Sequence, residues 1–500
     1  MNLADALDGH ARSRPTHPAL IEGARVTTHA ELAAWVRRIA AWIVGLRLPD
    51  DQPVGVCLRD TAQHVAVLYA LARAGRAILP LDVRWTLAEQ RNVALHFGAS
   101  LVLVEPDAAP IPDCRCAVPE EASDHAAAEI AFGHDDGAPF VLSLSSGTTG
   151  RPKGPLITHA HFLARFRTHW INLGLNGQDR FICATPLYFG GGRTFAMSVL
   201  FSGGTVVMLP PPWEPAELLA CIAAERVTSL FLVPTQLRRL LALGDAELAP
   251  LRGLNLLLSS GAPLSPEERV EIRDRLCPRF FEYYASTEGG GVSLLSPEDL
   301  ETRATSVGRP VFGVDVEVVD AADRPLAPGE VGLLRYRGPG CATTYHRDPE
   351  ASSEAFRDGW FYPGDLASLD AEGYVTLRGR QKDMIIRAGI NIYPADIEAA
   401  LNAHPSVAEA AVVGVPSPEF GEEIAAFVRL LQPVDVDALL HFARARLPRP
   451  KWPRQIIVVE DLPRNSSGKI LKRQLAEGIA GGLASEAVVS SAQGSSVSAG

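Results

Sequence analysis

At about 150 residues per domain, 500 residues imply two to four domains. With 47% hydrophobic and 21% charged residues, composition is ordinary globular usage and excludes disordered, collagen-like and coiled-coil chains. Lysine and arginine number 47 against 58 aspartates and glutamates, a net charge of −11 that argues against a general nucleic-acid or anionic-membrane surface, so an anionic ligand must meet local positive charge.

The start, MNLADALDGHARSRPTHPAL, lacks the basic end and apolar run of a secretory signal, and no stretch approaches about 18 uninterrupted apolar residues. A soluble cytoplasmic protein is expected. Seven cysteines, with only Cys114 and Cys116 close together, supply neither a four-ligand zinc site nor a disulfide framework, so reduced, packed thiols are expected.

Leu32, Trp35, Val36, Ile39, Trp42, Ile43 and Leu46 recur at steps of three and four, which predicts a helix over 29–46. The strand-like runs VGVCL (54–58), AILPLD and SLVLVEPD (100–107) then alternate with helical stretches. The alternation resumes through RFICATP, GGTVVMLP, SLFLVP and LNLLLSS, a helix over 265–276, and FFEYYAS. Such βα alternation predicts parallel sheets covered by helices. From Val311 to Arg337, short runs between Asp, Pro and Gly turns predict an antiparallel β subdomain. Beyond Arg380 a smaller α+β unit is legible, with a helix opened by Pro394. The expected architecture is α/β, with a large domain over 1–380 of helix-covered parallel sheets plus the β subdomain. A small mobile α+β C-terminal domain over 381–480 and a disordered, small and polar tail over 481–500 complete it.

The glycine-rich segment Ser145-Ser146-Gly147-Thr148-Thr149-Gly150-Arg151-Pro152-Lys153-Gly154 follows the strand-like FVLSL. Glycines free the backbone to wrap an anion, hydroxyls and amides donate to phosphate oxygens, and Lys153 adds charge, so the loop suits a polyphosphate. A P-loop of the kinase and GTPase kind needs Gly before the Lys and Ser or Thr after it; Pro152 and Gly154 stand there instead, which disfavours that class.

This string resembles the signature of the adenylate-forming superfamily: acyl- and aryl-CoA synthetases, luciferases and peptide-synthetase adenylation domains. Four further segments are similar to the family's motifs, in its order. Tyr284-Ala285-Ser286-Thr287-Glu288 resembles the motif whose Thr meets phosphate and whose Glu holds Mg²⁺ beside ATP. Phe361-Tyr362-Pro363-Gly364-Asp365-Leu366 resembles the stretch whose Asp accepts from the ribose hydroxyls. Gly379-Arg380-Gln381-Lys382-Asp383 resembles the hinge motif and is followed by Gly389, Asn391, Ile392, Tyr393, Pro394 and Glu398 in the family's frame. Pro463-Arg464-Asn465-Ser466-Ser467-Gly468-Lys469-Ile470 is similar to the motif of the mobile catalytic lysine.

The resemblance covers roughly residues 1–475 and implies an ATP-, Mg²⁺- and coenzyme A-dependent acid–thiol ligase. A carboxylate attacking the α-phosphorus of ATP needs no general base, because it is already ionised near neutral pH; the site must neutralise charge and hold the reactants in line. The catalytic residues implied are Lys469, Thr287 and Glu288, with Glu288 as metal ligand. Residues 145–150 and Lys153 hold the phosphates. Gly261, Ala262, Pro263, Glu282, Tyr284, Asp365 and Arg380 hold adenine and ribose. Lys382 is the implied hinge and Gly389 guides the coenzyme A thiol after the small domain rotates and Lys469 withdraws.

The implied acyl pocket is formed by Tyr188, Phe189, Gly190 and Ala285. Relatives that activate amino acids carry an Asp where Gly190 stands, which argues against an α-amino acid. Phe189 replaces a common His, Ala285 a Gly, and Tyr362-Pro363 a His-Thr pair. Arg193 is either a structurally paired loop arginine, the favoured reading, or the partner of a second substrate carboxylate. The leading expectation is a carboxylate–CoA ligase for an apolar acyl or aryl acid. The rivals are an acyl-AMP ligase loading a carrier-protein phosphopantetheine, although no carrier module is visible after Lys469, a luciferase-like oxidation, and a non-catalytic acyl- or nucleotide-binding protein.

Overall fold

The computed structural model describes residues 1–124, 135–144, 152–464 and 470–480. The expected tail over 481–500 lies outside them. They form two compact units, one of residues 1–317, 335–363 and 372–375, the other of 318–334, 364–371 and the chain from Thr376 onward.

The first unit contains two sheets of the βα type. In the nine-stranded sheet, Phe280–Ser286, Leu256–Ser259, Ser229–Leu232, Arg180–Cys183, Thr205–Met208 and Pro18–Glu22 run parallel in that spatial order. Antiparallel strands finish each edge: Gly290–Leu295 with Arg309–Pro310 on one side, and Arg25–Thr28 on the other. The second sheet runs Cys116–Ala117, Leu101–Val104, Val54–Cys57, Ile78–Pro80 and Pro139–Leu142 in parallel, closed by antiparallel Leu156–Thr158. The inner strands Val54–Cys57, Thr205–Met208, Ser229–Leu232 and Leu256–Ser259 are buried on every residue, as helices on both faces require.

The helix expected over 29–46 spans His29–Gly45 and opens with a capping box, Thr28 accepting from the Glu31 amide while Glu31 reaches back. Its stripe of Leu32, Val36, Ile39 and Ile43 enters a core shared with Phe140, Phe162, Phe166 and Phe181. The helix expected over 265–276 is α-helical only at Pro266–Glu271 and widens into a π-turn at Ile272–Leu276, a local geometry that periodicity cannot specify.

In the second unit, Val407–Ser417 and Gly421–Leu430 pair along their length, with Gln455–Val458 parallel beside them and the short hairpin Ile385–Arg387/Ile390–Ile392 on the same sheet. Helices Pro394–Asn402 and Val436–Arg446 bury Ile397, Leu401, Leu439 and Leu440 against it. All seven cysteines are free. No described helix is long and apolar enough to cross a membrane.

Candidate active site

In open α/β sheets, ligands bind beyond the carboxyl ends of the strands. Pairing aligns Leu232, Ser259 and Glu282 in one lateral row. The segments that follow this row, Gly261–Pro263 and Tyr284–Glu288, therefore emerge on one edge of the large sheet, as does Tyr188–Gly190 after the strand Arg180–Cys183. The smaller sheet sends Asp60, Asp82 and Ser143 from its own carboxyl ends. Asp60 and Ser143 bond to the segment between Leu187 and Arg193, so the two carboxyl edges meet there.

Thr287 and Glu288 occupy the tip of the hairpin in which Ser286 pairs with Gly290. A buried arginine fixes that tip. Arg165, 6% exposed, donates through Nη2 to the carbonyls of Thr287 (3.2 Å) and Glu288 (2.8 Å) and through Nε to that of Gly340 (2.9 Å). Burial lowers its pKa, because its charge leaves water, and nearby Cys341, Tyr336 and Glu288 oppose that shift. The glycines after Glu288 make room for this arrangement: a Cβ at Gly289 would stand 2.4 Å from the Tyr336 ring, and Gly290, at φ +71°, would meet Arg165 at 2.8 Å. Tyr336 in turn shares a 2.5 Å hydrogen bond with Ser286.

The Glu288 carboxylate is buried, and its Oε1 accepts from the Tyr345 hydroxyl at 2.9 Å. Burial raises the Tyr345 pKa, with the Glu288 charge adding to it, so the phenol stays a donor. The Lys153 ammonium lies 5.2 Å from the centre of the same ring. Tyr345 thus links the lysine expected on phosphate to the carboxylate expected on metal. The chain around Lys153 is fixed by a bridge between Pro155 and Tyr345 and by the His346 amide donating to the Gly154 carbonyl at 2.8 Å. Residues Ser145 to Gly150 and Lys469 lie outside the described residues.

A magnesium ion commonly takes one or two carboxylates and completes its shell with substrate phosphates and water. Glu288 fits that role, and the described residues hold no cluster of three or more His, Cys, Asp or Glu that could bind a metal alone.

The segment expected on adenine begins at Gly261, whose φ of +104° favours glycine. Glu282 is closed in a buried ion pair with Arg269, and burial raises its pKa against the lowering effect of Arg269. An adenine contact at Glu282 would therefore share the carboxylate with Arg269. In the second unit the two residues expected on ribose meet: Arg380 Nε lies 2.8 Å from Asp365 Oδ1. Lys382 is exposed on the short 3₁₀ turn Gln381–Asp383. Gly389 (φ +78°) forms a two-residue hairpin turn with Ala388 (φ +51°), the left-handed pair that a tight hairpin needs.

In the expected acyl segment, Tyr188 accepts from Arg84 Nη2 at 2.6 Å, Phe189 caps the helix Gly190–Phe201, and a Cβ at Gly190 would meet nothing within 4 Å. Ala285 is exposed. Arg193 is 1% exposed and donates to the carbonyls of Leu187 and Tyr188 and to Ser143 Oγ. It is a loop-holding arginine, and its burial removes the reading in which it meets a second substrate carboxylate.

The chain matches the family of AMP-binding enzymes over residues 7–346 and that family's C-terminal domain over 396–469. It belongs to the AMP-binding enzyme family. It is 33% identical to a feruloyl-CoA synthase of Amycolatopsis over 93% of this chain and 96% of the relative. It is 30% identical to an indoleacetate–CoA ligase of Aromatoleum aromaticum over 94% and 97%. The o-succinylbenzoate-CoA synthetase of Bacillus subtilis, solved with its acyl-adenylate, superposes at a TM-score of 0.86 with 28% identity over 94% of this chain and 97% of that one.

Sequence reasoning missed Tyr345 and Arg165. Neither lies in a motif: Arg165 reads as one more charge on the helix His159–Leu173, and Tyr345 follows a loop. The three glycines after Glu288 were the available signal, since small residues in a row announce bulky neighbours packed against them.

Proposed function

We propose that this AMP-binding enzyme is a carboxylate–CoA ligase for an apolar acyl or aryl acid, with aryl acids favoured. The acid and ATP give acyl-AMP and pyrophosphate; the coenzyme A thiol then attacks the anhydride, giving acyl-CoA and AMP. What supports the reading most is the grouping of Lys153, Tyr345 and Glu288, in which the lysine ammonium lies over the ring whose hydroxyl binds the buried carboxylate at the carboxyl edge of the large sheet. The ligase names of relatives matched almost end to end point to coenzyme A and to aromatic acids.

In this reading Lys153 and the loop from Ser145 to Gly150 hold the β- and γ-phosphates, and Thr287 meets phosphate at the clamped hairpin tip. Glu288 would hold Mg²⁺, which when bound would supply positive charge against the charge that builds on the phosphate oxygens. Lys469 adds charge at the reacting carboxylate, Asp365 and Arg380 hold the ribose, and Gly261 to Pro263 pack on adenine with Glu282 and Tyr284 beside them. Tyr188, Phe189, Gly190 and Ala285 receive the acyl group. Lys382 serves as hinge and Gly389 guides the thiol.

The experiment is pyrophosphate release over fatty, aryl, dicarboxylic and amino acids with ATP and Mg²⁺, with and without coenzyme A. Release with aryl acids, yielding aryl-CoA, is expected. Release without a coenzyme A product moves the assignment to a carrier-protein thiol, and no release with intact ATP binding ends the catalytic reading.

A further inference from the structure

The loop Leu187–Gly190 is gripped by charged side chains that no motif contains. Asp60 Oδ1 accepts from the Leu187 amide at 2.6 Å. On the other side of the same residue, Arg193 Nη1 donates to the carbonyls of Leu187 at 3.0 Å and Tyr188 at 2.9 Å, while its Nη2 donates to Ser143 Oγ at 3.0 Å. Arg84 holds the Tyr188 hydroxyl and is itself held by the buried carboxylate of Asp82.

This arrangement costs stability. Burial raises the Asp60 pKa to about 6, against the lowering effects of the Leu187 amide and Arg84 and with Asp82 adding to the rise; the thiol of Cys183 also feels the Asp60 charge. Burial lowers the Arg193 pKa to about 9, with the charge of Arg165 adding to it. Neither group makes an ion pair within 4 Å among the described residues, and strained or costly groups concentrate where function needs them.

We propose that Asp60 and Arg193 are positioning residues for acid binding, gripping opposite sides of Leu187 so that the carboxylic acid meets a loop already in its bound shape. The proposal rests on the assignment of this loop to the acid. A loop held in advance spares the acid the ordering cost, so losing the clamp weakens acid binding more than it slows chemistry.

The experiment measures KM for the best acid, KM for ATP and kcat in Arg193→Met, Arg193→Lys, Asp60→Asn and Phe189→Ala by pyrophosphate release between pH 5.5 and 8. Arg193→Met, which removes three hydrogen bonds from a charged group, should raise KM for the acid at least about tenfold while kcat and KM for ATP move less than about threefold. Arg193→Lys should recover part of the loss. In the native enzyme KM for the acid should fall as pH rises through about 6, where Asp60 ionises, and Asp60→Asn should remove that dependence. Parallel changes in both KM values, or no change, overturn the clamp. Phe189→Ala separates the two ideas. If it shifts KM for the acid while the clamp variants do not, only the clamp fails; if it leaves that KM unchanged, the acid assignment of the loop fails and the clamp with it.

Discussion

Two buried arginines of the first unit, Arg165 and Arg193, and the partly buried cations of the second are satisfied differently. In the first, Arg165 and Arg193 lie inside the protein with their donors on backbone carbonyls and a serine hydroxyl, and no carboxylate within ion-pair distance among the described residues. In the second, partly buried cations meet carboxylates: Arg387 with Glu423 at 2.7 Å, Lys472 with Glu398 at 2.6 Å, Lys451 with Asp396, and Arg464 with Glu409, as buried Arg269 of the first unit does with Glu282. A paired cation is neutralised and serves the fold. A guanidinium spent on carbonyls keeps its charge, and in a protein of net charge −11 it sustains local positive potential where anionic substrates are expected.

The largest effect expected on this contrast comes from Lys469. Lys469→Ala should lower acid-dependent pyrophosphate release by about 10²- to 10³-fold while leaving thioester formation from supplied acyl-AMP largely intact; equal loss of both half-reactions would remove its assigned role. Glu288→Gln should lower adenylation by about 10²-fold and raise the Mg²⁺ concentration needed for half-maximal rate, read by titrating Mg²⁺ at fixed ATP.

Stability measurements break the contrast directly. Arg387→Met strands Glu423, which is 3% exposed, and should cost about 3–5 kcal/mol in urea denaturation, most of it recovered in the double variant with Glu423→Leu. Arg165→Met strands carbonyls rather than a charge and should cost about 1–3 kcal/mol. Equal costs for Arg387→Met and Arg165→Met would erase the distinction between carboxylate-paired and carbonyl-held arginines.

The smallest effect is on pH-dependent stability. Asp60 titrates at about 6 in the fold against 3.8 in the unfolded chain, so the unfolded state releases this proton first and stability from this group falls as pH rises from about 4 to 6. Asp60→Asn should therefore raise the melting temperature at pH 7.5, by at most about 3 kcal/mol of stability, with the gain vanishing below pH 4. A gain that persists at pH 4 would have another origin.

Much was legible in the chain itself, because family motifs keep their residue types and spacing. Asp365 and Arg380 were assigned one ligand from sequence and stand 2.8 Å apart. Parallel strands were legible from unbroken apolar runs such as Leu256–Ser259, the helix after His29 from its stripe. Asp60, Arg165 and Tyr345 were not assigned these partners, because each acts on a segment distant in sequence: 127 positions separate Asp60 from Leu187, 123 separate Arg165 from Glu288 and 57 separate Tyr345 from Glu288. Arg193, five and six positions from the carbonyls it holds, was legible as a paired loop arginine.

By itself the sequence determined the family and the βα architecture and assigned residue types to a nucleotide, since periodicity and short motifs are local properties of the chain. Only the tertiary structure decided which side chains hold those motifs in place. A buried guanidinium must satisfy its donors wherever carbonyls are offered, and which carbonyls are offered depends on how the sheet edges meet.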